Sequence, residues 1–196
     1  MKKTLLFLSL LASSISFSQV LQSENFDGLN LGNIGTDVTG VTAGQGGWLT
    51  ANGTNSDYQI VSETTGKSFQ LTGSNTATGT RYMWKSDLPT AWAARTSGNN
   101  IINTEFDLFT GGPTTSKNTA RVYIFNSDGS VVLAGLSFNL ETKAISGIAY
   151  FDPNNGGVNP VGTYSFNLGT SNAVLNLTSN TWVRMGISYN TVTREV

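Results

Sequence analysis

Glu105 and Asp107 are the residues of this chain whose types and spacing most directly suggest chemistry. In Thr104-Glu105-Phe106-Asp107-Leu108-Phe109 they stand two apart, so an extended strand projects both carboxylates from one face. Retaining glycoside hydrolysis uses two carboxyl groups about 5 Å apart on opposite sides of the scissile bond. The next alternate position is Phe109, followed by Thr110, so the strand offers no further carboxyl group. With Glu105 as nucleophile, the acid on the opposite side of the bond would have to come from elsewhere, such as Asp87. Alternation alone explains Glu105 and Asp107 as solvent-facing groups on a half-buried strand, and that reading is the stronger one.

Asp152-Pro153-Asn154-Asn155-Gly156-Gly157 partly imitates a calcium loop. Asp152, Asn154 and Gly157 fit the EF-hand pattern, but its twelfth position is Thr163 rather than Glu, so a glycine-rich turn explains the segment better. The aromatics Trp48, Tyr82, Trp84, Trp92, Tyr123, Tyr150 and Trp182 offer flat faces against which sugar C–H groups pack. Most are expected in the core. Trp92 is the expected exception, because Leu88-Pro89-Thr90-Ala91-Trp92 reads as a loop and loops carry contact residues. Tyr82 and Trp84 share one strand face, with Arg81 and Lys85 on the other.

Cysteine and histidine are both absent. Their absence removes thiolate nucleophiles, a lipid anchor on cysteine, disulfides, the Ser-His-Asp triad and the usual ligands of zinc, copper and iron. No cofactor is expected, and oxygen-only calcium binding stays open.

The elements that must position these groups are strands. Short β-branched and aromatic runs recur between Gly, Ser, Thr and Asn, which is the pattern of a sandwich or barrel. Phe69 and Leu71 alternate with polar residues, residues 81–85 form another candidate, and Ile102, Thr104, Phe106 and Leu108 share a face. Residues 120–126, 130–139 and 144–151 predict a three-stranded meander, its first turn marked by Asp128-Gly129. Residues 163–168 and 181–189 add two strands, and residues 191–196 read as a turn and the start of a returning strand. The expectation is an all-β, two-sheet antiparallel sandwich whose closing strands lie beyond Val196.

Residues 1–18 have the order of a secretory signal: Lys2-Lys3, an apolar run from Leu5 to Leu11, then Ser16-Phe17-Ser18 before Gln19. The run is too short to span a bilayer as a helix, so no membrane span is expected. Losing Lys2 and Lys3 leaves nine basic against twelve acidic residues, a balance of −3 over residues 19–196. The basic residues are scattered, which argues against nucleic acid or an anionic membrane surface as partner.

Glu24-Asn25-Phe26-Asp27-Gly28, Gly46-Gly47-Trp48, Asp57-Tyr58-Gln59-Ile60-Val61 and Lys67-Ser68-Phe69-Gln70-Leu71 resemble the opening of concanavalin A-like (laminin-G-like) jelly rolls secreted by Bacteroidota. The run from Thr181 to Asn190 is similar to a late strand of that superfamily. The resemblance implies one jelly-roll domain over 19–196, a module of a larger exported or cell-surface protein, and type IX secretion. It also suggests calcium held by Asp27 or Asp57 with backbone carbonyls. Residues 104–109 resemble part of the laminarinase-like strand motif, which would make Glu105 the nucleophile and Asp107 the central Asp. The leading expectation is a secreted, non-catalytic module that binds a polysaccharide or cell-surface glycan, or serves in adhesion. A degenerate glycoside hydrolase and a structural spacer are the alternatives.

Overall fold

The structure is a computed structural model that describes residues 19–76, 78–152 and 160–196. The expected signal segment 1–18 and the calcium candidate Asn154 lie outside the described residues. The chain is all-β and antiparallel, and it divides into two compact units, one ending at Asn99 and the other running from Asn100 to Val196. Among the described residues no helix is long and apolar enough to cross a membrane.

The first unit holds β1 (Gly32–Asn33), β2 (Trp48–Ala51), β3 (Tyr58–Ser62), β4 (Lys67–Leu71), β5 (Tyr82–Lys85) and the short helix α1 (Leu88–Ala93). β1, β3 and β4 form one sheet in that order, and β2 pairs with β5 in another. Ile34, Tyr58 and Ile60 are its buried centre, against which Phe26, Trp48, Phe69 and Met83 pack. Both sheets therefore contribute to one apolar core. Phe26 stacks on Trp48 and on Phe69, each with ring centroids 6.0 Å apart.

The second unit holds β6 (Ile101–Phe109), β7 (Thr119–Phe125), β8 (Val132–Asn139), β9 (Ala144–Phe151), β10 (Gly162–Asn167), β11 (Leu175–Asn176) and β12 (Trp182–Asn190). The meander forms as its alternation requires, and the sheet order is β10-β9-β8-β7, with β11 also on β9. β6 pairs with β12 along its whole length, from Trp182 opposite Phe109 to Asn190 opposite Ile101. Ile124, Ala134, Ile187 and Tyr189 are buried together, with Ile102, Phe106 and Leu136 against them, so the ribbon and the larger sheet share a core. Period-two patterning thus fixes which face of β6 and of β12 meets water.

Two local features depart from the sequence reading. Leu88–Ala93 is a short helix, not a loop; Pro89 stands in its first turn, where proline's missing N–H costs nothing. Thr193–Val196 forms no strand: the Asn190 amide donates to the Glu195 carbonyl, and the Asn190 side chain accepts from the Val192 and Thr193 amides. The turn between β8 and β9 places Lys143 at a φ of 60°, with the residue 6% exposed. Its ammonium donates to the carbonyls of Thr110 (2.9 Å) and Gly112 (2.8 Å), tying that turn to the segment after β6.

Candidate functional site

The outward face of β7–β10 forms a groove of about 480 Å³. β7 contributes Thr119, Arg121 and Tyr123, and β8 contributes Ser137 and Asn139. Ser146 and Ile148 come from β9, and Thr163 and Ser165 from β10. The register arranges them in transverse rows. Arg121 lies opposite Ser137, and Ser137 opposite Ser146. One step along, Tyr123 lies opposite Gly135, Gly135 opposite Ile148, and Ile148 opposite Ser165. Four strands at a spacing of about 4.8 Å give each row a reach of about 14 Å.

Gly135 shapes the floor. A Cβ there would collide with the Tyr123 ring and the Val122 carbonyl, so the missing side chain lets the ring lie across β8. Phe125 meets Tyr123 edge-on at 5.8 Å and supports it. Ile148, 8% exposed, is the apolar part of the floor. The turn at the groove's end is held by Asn139, whose side-chain oxygen accepts from the Glu141 (3.0 Å) and Thr142 (2.9 Å) amides. Thr163 donates to the Val132 carbonyl at 3.2 Å. The hydroxyls of Thr119, Ser137, Ser146 and Ser165 make no hydrogen bond to any described residue. The groove therefore combines an aromatic face, an apolar floor and uncommitted hydroxyls. Such a surface offers apolar contact and hydrogen bonding side by side.

The carboxylates singled out in the sequence stand elsewhere. Glu105 and Asp107 share the outer face of β6, as expected, and both meet Arg184 of β12. Arg184 lies 2.6 Å from Glu105 and 3.8 Å from Asp107, with all three side chains more than half exposed. The hydrogen bond that Arg184 donates to Glu105, and the negative charge of Glu105, raise the Arg184 pKa above its ordinary value. Beside them Phe109 packs on Trp182 at 5.4 Å, filling the position a third carboxyl would need. Asp87 accepts a hydrogen bond from Gln22 at 2.8 Å, in the other unit.

The aromatic candidates are not assembled into one surface. Tyr82 and Trp84 share the outer face of β5, 48% and 37% exposed, and Trp84 closes against Gly40. Trp92 is half-buried on α1, and the Arg95 guanidinium lies 3.7 Å from its ring centre, occupying one face. Arg81 and Lys85 do turn the other way, and each finds a partner: Arg81 meets Asp57 at 3.0 Å and Lys85 meets Glu24 at 3.3 Å.

The calcium candidates are engaged in local structure. Asp27 accepts from the Lys67 amide at 2.8 Å, while Asp57 accepts from the Thr54 amide at 2.8 Å besides pairing with Arg81. Asp152 lies 3.9 Å from Arg194. Among the described residues no group of three or more acidic side chains is placed to hold a metal.

In the sequence Tyr123 is one aromatic among several, and nothing local marks Arg121 or the serine row. The available signal was polar residues on alternate positions of four consecutive strands, which looks like any solvated sheet face until the register aligns them. No protein-family model, curated protein or solved structure matches the chain.

Proposed function

We propose that the chain is a secreted or cell-surface, non-catalytic module that holds a polysaccharide or surface glycan in the groove over β7–β10. The observation that carries this is the Tyr123 ring lying across Gly135 beside rows of uncommitted hydroxyls. Sugar recognition needs such a pairing, a flat face for C–H groups and polar groups for hydroxyls. An export signal at 1–18 and the resemblance to concanavalin A-like jelly rolls point the same way, as does their frequent place in larger type IX cargo proteins. A hydrolase reading draws no support from Glu105, because a carboxylate tied to Arg184 at 2.6 Å on an open face is a weakened nucleophile without an acid partner. The groove also favours ligand binding over a purely structural spacer.

A glycan array with the purified chain tests the proposal, run with calcium and with chelator. Binding is expected in both conditions, weakened about tenfold or more by Tyr123→Ala and unchanged by Trp92→Ala. Absence of binding to every glycan in both conditions would end this reading.

A further inference from the structure

We infer that the groove takes an acidic polysaccharide, one whose sugar rings bear carboxylate or sulfate groups, with Arg121 as its anion anchor. This rests on the reading of the groove as a glycan site and narrows it to a ligand class.

Nine basic residues lie beyond Gln19. Arg81, Lys85, Arg184 and Arg194 face acidic partners. Lys67, Arg95 and Lys143 donate to backbone carbonyls that hold loops in place. Lys117 and Arg121 remain, and neither forms a hydrogen bond or ion pair with any described residue. In a chain with a balance of −3, the two uncommitted cations therefore fall within five positions of one another.

They also fall on one alternation. Residues 117, 119 and 121 are all exposed, and Thr119, Arg121 and Tyr123 all line the groove. No aspartate or glutamate is among the lining residues, so nothing on this face neutralises Arg121. A charge on an edge strand also discourages strand addition, and β7 is an edge of its sheet. That role needs a charge anywhere along the edge. It does not need a guanidinium at the head of a row running through Ser137 and Ser146.

The geometry suits an anionic sugar. A guanidinium presents two parallel N–H donors to a carboxylate or sulfate. Ser137, one strand away at about 5 Å, reaches a neighbouring ring hydroxyl. Tyr123 lies two residues from Arg121, about 7 Å along β7, and covers a ring face beside the anchor.

The test is titration calorimetry on the full chain in the presence of chelator, at low and high salt. The probes are polygalacturonate, dextran sulfate, a neutral β-glucan and single-stranded DNA. The expected result is binding to polygalacturonate or dextran sulfate that weakens with salt and falls about tenfold or more in Arg121→Gln. Lys117→Gln should lower it by a smaller factor, and Arg184→Gln should leave it unchanged. Preference for polygalacturonate assigns carboxylate as the recognised group, and preference for dextran sulfate assigns sulfate. Binding to β-glucan with no acidic preference, or indifference to Arg121→Gln, overturns the inference while leaving the glycan site standing. DNA bound as tightly as either acidic probe overturns it as non-specific polyanion attraction. Binding to no polysaccharide removes both the inference and the function it rests on.

Discussion

Tyr58 and Tyr189 are both buried tyrosines, one in each unit, and they differ in what their hydroxyls do. Tyr58 is fully buried, and its hydroxyl donates to the backbone carbonyls of Ala51 and Asn52, joining β3 to the end of β2. Tyr189 is 6% exposed, and its hydroxyl makes no hydrogen bond to any described residue. The same contrast runs through the charges. The first unit turns Lys85, Glu24, Arg81 and Asp57 inward and pairs them at side-chain exposures of 13–18%. In the second, the ion-paired residues of the β6–β12 ribbon face water, and its buried Lys143 is answered by backbone carbonyls and the Phe138 ring rather than by a carboxylate. A unit with short strands and three fully enclosed core residues relies on specific polar ties. One with nine-residue ladders relies on apolar pairing and turns its ion-paired charges outward.

The largest expected effect follows from the tyrosines. Tyr58→Ala should cost about 3–5 kcal/mol, because it empties the centre of the core and frees two carbonyls. Tyr58→Phe keeps the ring and should still cost about 1–3 kcal/mol, since the carbonyls lose their buried donor. Tyr189→Phe should stay within about 0.5 kcal/mol. Urea denaturation of the three variants would measure this, and equal losses for the two Phe variants would erase the contrast.

The strands β6 and β12 were legible because each alternates over nine residues, as in Ile101–Phe109. The two-residue strands Gly32–Asn33 and Leu175–Asn176 carry no periodic signal, since pairing with β3 and β9 alone makes them extended. Local composition misled at Leu88–Ala93, where proline suggested a loop but stood in the first turn of a helix. The groove was hidden for a different reason. Arg121, Ser137 and Ser146 lie far apart in sequence and become one row only through strand register, which no single segment encodes. Lys143 was invisible because nothing in Leu140-Glu141-Thr142-Lys143 announces burial by two distant carbonyls.

Acid should separate the two units by an intermediate margin. Burial tends to raise the Glu24 carboxyl, but the Phe26 amide, Lys85 and Trp48 outweigh it and hold the pKa below its ordinary 4.5. For Asp57 the Thr54 amide and Arg81 outweigh burial and hold the pKa below 3.8. A lowered carboxyl pKa means the folded state binds the proton less readily than the unfolded one. The stability these groups supply is therefore complete above about pH 4.5 and drains away as pH falls through the lowered values. Amide exchange between pH 6 and 3 should show protection falling first around Tyr58–Ser62, with β6 and β12 holding longer. Glu24→Gln should begin about 1–2 kcal/mol less stable and lose less on acidification. An unchanged acid response in that variant would remove Glu24 from the account.

The smallest effect is expected where the sequence first drew attention. Arg184 touches Glu105 and Asp107, yet the three side chains are 56–67% exposed. Solvent screens such pairs, and the entropy of holding long side chains offsets much of the attraction. Arg184→Ala should thus change stability by no more than about 0.5 kcal/mol, with little dependence on salt. It should also leave glycan binding untouched, because Arg184 lies on the ribbon face and not among the groove's lining residues. Calorimetry and denaturation on this one variant examine both halves of the contrast. A loss of more than about 2 kcal/mol would mean that the outward charges of the second unit act like the inward ones of the first. A loss of binding would move the ligand from the β7–β10 face to the β6–β12 ribbon, where Phe109 and Trp182 would then supply the aromatic face.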